Sequence, residues 1–205
     1  MHAGKPLIFL LLLAGSLLLH AQGRTDAFPH YKAKWVLIKG SSLKVSGSTN
    51  VNKFICEIVN YSTPDTILVH DYLASKLIFP LRGTLNLDVT KFDCHNPMMT
   101  SDLCKTLKAK DFPKMKIQFI SLNSFPNIHT GKENVKGQVN IGLAGMTRFF
   151  MVNYSLYKEG NVIHLIGRQQ VRFSDFKLTP PRKLGGMIRT KEELEVEFHL
   201  TMKAL

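Results

Sequence analysis

Cysteine is scarce in this chain, with three in 205 residues. That is too few for a disulfide scaffold, and no C-x-x-C pair suggests a zinc ribbon or a thiol redox site. The histidines are scattered, and none forms the H-x-x-x-H pair that a helical metal site uses. Acidic residues are in deficit, 15 against 27 Lys and Arg, so the formal net charge of +12 gives a surface that favours anions. No apolar run long enough to span a bilayer follows the first twenty or so residues. No repeat, linker or shift in composition divides the chain, and Gly and Pro counts are ordinary. Disordered, collagenous and low-complexity classes are therefore excluded, and the length suits one domain with a core that needs no staples.

What is present begins with the N-terminus. Lys5 precedes an apolar run from Leu7 to Leu19, and Ala21 offers a small residue for cleavage. This predicts a secretory signal over 1–21, leaving 22–205 as one domain in the periplasm or outside the cell. No Cys follows the cleavage point, which argues against a lipoprotein anchor. Export permits a disulfide. Three pairings are open, Cys56–Cys94, Cys56–Cys104 and Cys94–Cys104, and the reading leans to the first because Cys104 falls within a predicted helix.

Leu194-Glu195-Val196-Glu197-Phe198-His199-Leu200-Thr201-Met202 alternates apolar and polar without a miss, the period of a strand with one buried face. Leu85–Thr90 and Val135–Leu143 do the same, the latter with Gly137 on its apolar side. Further strands are expected at 35–37, 43–45, 54–59, 115–119, 149–157 and 162–166. Turn signals such as Ser46-Gly47-Ser48, Thr63-Pro64-Asp65 and Lys158-Glu159-Gly160-Asn161 separate them. Many short one-faced strands argue an all-β antiparallel sandwich or barrel. One segment differs. Asn96-Pro97 is an N-cap followed by Pro at N1, and Met99, Leu103 and Leu107 follow at intervals of four, predicting a short helix over about 97–109. Its simplest role is a lid or plug at one end.

Several of these segments resemble the YceI-like family. Asp102-Leu103 to Leu107-Lys108 with Phe112-Pro113-Lys114-Met115-Lys116-Ile117-Gln118-Phe119 is similar to that family's helix and following strand. Val135 to Val139 leading into Leu143-Ala144-Gly145-Met146-Thr147-Arg148 resembles its Gly-containing hairpin, Ser174-Asp175-Phe176 its "sdF" element, and Glu193–Met202 its closing strand. The likeness runs from about Ser42 to the end. Residues 60–79 depart from the family's spacing, and Ser48 to Phe54 resembles only a subgroup. The resemblance implies an exported, lipocalin-like antiparallel barrel of about eight strands with one short helix near an end. It also implies a non-catalytic role, binding a polyisoprenoid or an isoprenoid quinone, with no other cofactor.

Alternation alone places Leu85, Leu87, Val89, Ile117, Phe119, Val139, Ile141, Leu143, Phe150, Val152, Leu194, Val196, Phe198 and Leu200 inward, as an ordinary packed core would have them. The resemblance implies instead that they line an apolar lumen, where each Å² of isoprenoid surface buried is worth roughly 25 cal/mol before ordering costs. Lys105 and Lys108 at the helix end, and Arg182 and Lys183 in the last loop, are candidates for a lipid head group or an anionic membrane face. A solid barrel with a basic docking face is the alternative. A homodimer is compatible with the sequence but not demanded by it. Nucleic acid is not expected, because basic and aromatic residues are not interleaved. No catalytic or metal site is expected. Ser174-Asp175-Phe176-Lys177 matches S-x-x-K but lies after a strand rather than at a helix N-terminus, His199 falls on a wet face, and Cys104 has no base nearby.

Overall fold

The computed structural model describes residues 31–73, 76–128 and 131–205, so the signal expected at 1–21 lies outside the described residues. The strands, in chain order, are β1 (Tyr31–Leu37), β2 (Ser41–Ser48), β3 (Lys53–Tyr61), β4 (Thr66–His70), β5 (Phe79–Asp88) and β6 (Lys114–Leu122). They continue with β7 (Glu133–Leu143), β8 (Met146–Glu159), β9 (Val162–Arg172), the short ribbon of β10 (Arg182–Lys183) and β11 (Ile188–Arg189), and β12 (Glu193–Ala204). One helix, α1 (Pro97–Thr106), stands between β5 and β6.

The strands pair antiparallel in the order β1-β4-β5-β6-β7-β8-β9-β12, and β12 returns to β1 through Leu37↔Met202 and Trp35↔Ala204. Eight strands thus close a barrel, which leaves no free edge along the ring. The alternation that ends the chain makes a ten-residue seam with β9, from Glu193↔Arg172 to Met202↔Ile163. The other half of β12 pairs with β2, from His199↔Ser42 to Glu195↔Ser46, so β1 and β2 behave as one strand bent at residues 38–40. Gly40 takes φ +104° at that bend. The backbone polar groups released there are met by two buried hydroxyls. Ser41 Oγ accepts the Thr201 amide at 3.0 Å, and Thr201 Oγ1 lies 3.2 Å from the Ile38 carbonyl oxygen.

The lumen is closed by aromatic rings lying over glycines. A Cβ on Gly167 would stand 2.3 Å from Phe198 Cζ, and one on Gly137 would stand 2.5 Å from Tyr154 Cε2. Those missing side chains are what let Phe198 and Tyr154 cross the barrel, with ring centroids 5.8 Å apart. Phe119 meets Phe198 edge-on at 6.1 Å, in the T-shaped geometry that aromatic quadrupoles favour. The Tyr154 hydroxyl, carried into this core, has no hydrogen-bond partner among the described residues, and burial alone pushes its ionisation upward. Tyr154→Phe keeps the ring and removes the desolvated oxygen, so stability should rise by about 1 kcal/mol. Urea denaturation would measure this, and a loss of stability instead would mean that the hydroxyl is bonded.

Three details differ from the sequence reading. The strand expected over 85–90 ends at Asp88, whose carboxylate accepts the Thr90 amide at 3.0 Å and turns the chain into a single 3-10 turn, leaving Val89 buried in that turn. The helix expected over 97–109 starts at Pro97, with Asn96 Oδ1 accepting the Met99 amide at 3.0 Å, but it stops at Thr106. Lys108 takes φ +53° and its amide bonds Lys105 O, while Ala109 N bonds Cys104 O. That is the Schellman arrangement, which satisfies the last carbonyls and ends the helix three residues early. The third is β4, within a stretch where no strand was expected. Its buried residues, Ile67 and Val69, provide only two apolar positions, too few to register as alternation.

Candidate functional site

β5 and β3 are neighbours across the mouth of the barrel but share no ladder. The chain that leaves β5 fills the gap. Asp93 exchanges backbone hydrogen bonds with Glu57 at 2.8 and 2.9 Å, and Cys94 is joined to Cys56 by a disulfide, with Cys104 left free. These bonds hold α1 beside β3. A second element approaches from the opposite side. The β10–β11 ribbon pairs Arg182 with Arg189 and Lys183 with Ile188, and it is clamped to the β2–β3 turn. Asn50 N donates to Arg189 O at 3.1 Å, and Asn50 Nδ2 donates to Met187 O at 2.8 Å.

Between helix, hairpin and ribbon is a cavity of about 240 Å³. Val45, Phe54 and Leu194 form its floor on the barrel wall, Met99 and Leu103 line it from α1, and Ile188 lines it from the ribbon. Val51 and Met98 stand at the rim, largely exposed. The charged residues in the lining are Asp102 and Lys183, which neutralise each other across a 2.5 Å ion pair. The site is therefore an apolar hollow with one internal ion pair. Its other polar side chains are those of Thr49, Asn52, Asn96 and Thr190. Among the described residues, no cluster of three His, Cys, Asp or Glu side chains is spaced to hold a metal.

The residues nominated from sequence fall elsewhere. Leu85, Leu87, Val89, Ile117, Phe119, Val139, Ile141, Val152 and Phe198 are buried, and Leu143, Phe150, Leu194 and Val196 are half-buried against the same core. The void bounded by Leu85, Leu87, Ile117 and Phe198 measures about 10 Å³, room for one water at most. The expected lumen is thus a packed core, because rings laid over glycines occupy the barrel axis. The inward positions are right in direction, but apart from Leu194 they do not line the cavity. Of the head-group candidates, Lys183 reaches the cavity, Arg182 lies exposed on the outer face of the ribbon, and Lys105 and Lys108 are exposed at the end of α1, outside the lining. Phe54 on β3 and Ile188 on the ribbon were missed. The period-four apolar face of the helix was their one visible signal. Ser174 and Lys177 are both exposed around a 3-10 turn, with Lys177 in the left-handed region and no helix to align them.

A separate cluster lies on the outer wall. His164 Nδ1 and His199 Nε2 are 2.9 Å apart, and His164 stacks on Tyr157 at 4.7 Å. His199 is thus half-buried rather than freely wet. Burial, followed by the nearby His164 ring, lowers its pKa below the usual 6.5, with Glu197 pulling weakly the other way. Below pH 6.5 the unfolded chain takes up a proton at this position that the folded chain resists, so stability should fall as pH drops from 6.5 through the folded-state pKa. His199→Gln should flatten that part of a stability–pH curve measured by thermal denaturation. An unchanged slope would assign the dependence elsewhere.

No family model matches the sequence, and no curated protein matches it. Solved structures do match in fold. A polyisoprenoid binding domain from Saccharophagus degradans superposes with a TM-score of 0.60 over 83% of this chain and 98% of that one, at 9% identity. BcnA of Burkholderia cenocepacia superposes at 0.50 over 78% and 95%, at 17% identity. A Campylobacter jejuni YceI protein covers 64% of this chain and 76% of its own length, at 14% identity and a TM-score of 0.46. At these identities, the first two superpositions establish a shared fold. By its fold, the chain is a closed eight-stranded antiparallel barrel similar to that polyisoprenoid binding domain and to BcnA.

Proposed function

We propose that the protein is an exported, non-catalytic lipid-binding protein whose mouth cavity takes the apolar end of an isoprenoid lipid or isoprenoid quinone. The observation that carries this reading is the cavity itself, about 240 Å³ lined mainly by apolar side chains. The shared fold of a domain described as polyisoprenoid-binding supports the choice of ligand. Pockets for drug-sized ligands run to roughly 300–1,000 Å³, so this one accommodates a chain end rather than a whole polyprenyl tail. Burying about 200 Å² of chain would contribute about 5 kcal/mol before ordering costs. The head group would stay outside, within reach of Arg182 and the rim. The expected N-terminal signal is what places the protein in the periplasm or outside the cell.

A second reading is favoured by the packed lumen, namely a solid barrel that docks to an envelope partner through its basic surface. Mass spectrometry of an organic extract separates the two. Protein purified from its native envelope fraction should carry a stoichiometric isoprenoid or quinone. The Leu103→Arg variant, which fills the cavity from a half-buried helix position, should fold and come away empty. An empty wild-type protein would transfer the weight to the docking module.

A further inference from the structure

Among the described residues, six large apolar side chains are at least 65% exposed; two of them, Val51 and Met98, border the cavity, and two more, Leu184 and Met187, stand on the ribbon that lines it. They come from three elements that do not adjoin in sequence. Val51 tips the β2–β3 turn, Met98 opens α1, and Leu184 and Met187 flank the tip of the β10–β11 ribbon. Such a ring of apolar points is a poor use of a wet surface unless something apolar meets it.

The ribbon shows what kind of surface that is. Pairing of Arg182 with Arg189 and of Lys183 with Ile188 gives it two faces. Lys183 and Ile188 line the cavity, while Arg182 and Arg189 face outward. The tip glycines, Gly185 and Gly186, take φ +64° and +96° and have open space around them, so the tip is held by its turn and by hydrogen bonds from Asn50 and Arg189 to its backbone rather than by apolar packing. Neither Arg182 nor Arg189 has an ion-pair partner among the described residues, and the same is true of Lys53 and Lys191 beside them. Of the nearby carboxylates, Glu195 stands beside Lys53 and Lys191, while the three others are engaged. Asp102 pairs with Lys183, Glu193 pairs with Arg172, and Glu192 accepts the Ser174 amide at 2.6 Å. Apolar tips backed by free cations match a bilayer interface that carries anionic head groups, with apolar side chains below and arginines level with the phosphates.

We propose that the protein docks mouth-down on an anionic lipid bilayer. Leu184, Met187, Val51 and Met98 enter the interface, and Arg182 and Arg189 meet the head groups. This deepens the function proposed above, because it presents the cavity directly to the membrane from which a lipid chain would be drawn. Val51 and Met98 belong to both surfaces, but Leu184, Met187, Arg182 and Arg189 lie outside the cavity lining, so variants at the ribbon let the two fail separately.

The test is vesicle flotation of the protein isolated from producing cells, with its N-terminus read by mass spectrometry so that no apolar leader confuses the result. Phosphatidylcholine vesicles are compared with vesicles that also contain phosphatidylglycerol, at low and high salt. The wild type should float with the mixed vesicles at low salt and release at high salt. Leu184→Asp/Met187→Asp changes an unpacked tip and should weaken binding at least about tenfold while leaving the melting curve unchanged. Arg182→Gln/Arg189→Gln should cost about thirtyfold, about fivefold for each charge. Leu103→Arg, with its cavity filled, should float like the wild type even when it extracts no lipid. Docking is overturned if the wild type ignores anionic vesicles, or if the tip variant binds as well as the wild type. It is also overturned if folded Leu103→Arg loses flotation, which would put the contact inside the cavity. A dimer in sedimentation that the tip variant abolishes, without vesicle binding, would assign the patch to a second copy of this chain.

Discussion

Phe198→Ala is expected to lower the free energy of unfolding by about 3–5 kcal/mol, toward the upper end of that range. The ring is 2% exposed and crosses the barrel where Gly167 has no side chain, with a built Cβ there only 2.3 Å away. Its other contacts are Phe119 and Tyr154, at centroid distances of 6.1 and 5.8 Å. A truncated side chain leaves a void that a glycine cannot fill. The backbone cannot collapse into it either, because β12 is flanked by paired strands on both sides at this residue, opposite Gly167 and Leu43. Urea denaturation with an unchanged m-value would measure the loss. A cost near 1 kcal/mol would mean that the ring occupies yielding space, and would restore the lumen as a ligand site.

Removal of the Cys56–Cys94 bridge should cost about 4 kcal/mol in the chain-entropy account, given a sequence separation of 38. The double variant Cys56→Ala/Cys94→Ala is best made with Cys104→Ser, so that the free thiol cannot form a new pair. Stability is half of the expected result. The bridge and the Glu57–Asp93 backbone pair are what bind the helix-bearing segment to β3, across a gap that no ladder closes. Hydrogen exchange should therefore accelerate in 93–106 well before the barrel strands respond, and lipid retention should fall with it. Unchanged stability and unchanged exchange in that segment would show that packing alone holds the helix.

The two variants probe different layers of legibility. Phe198 was readable as inward from alternation along the last strand, because the period of two in a pleated chain survives whatever it packs against. Asn96-Pro97 announced the helix start for an equally local reason, since a cap and its first turn need no partner. The helix end was not readable, since Lys108 closes a Schellman turn in the left-handed conformation usually left to glycine. β4 was hidden because two buried residues make too short a pattern. The cavity was out of reach for another reason. Its walls come from β2, β3, α1, β12 and the ribbon, brought together across well over a hundred residues.

The sequence by itself determined the class of this protein, an all-β antiparallel sandwich or barrel with one capped helix and a basic surface, because alternation, turn residues and charge are properties of short stretches of chain. Only the tertiary structure decided that the lumen is packed and that the free apolar space lies at the mouth. Glycine is read in one dimension as a gap on the apolar face, and nothing local tells whether a ligand or a ring from another strand fills it. Here Gly137 and Gly167 receive Tyr154 and Phe198. The volume that might have been a tunnel is therefore core, and the cavity opens where the helix, the hairpin turn and the ribbon fail to meet.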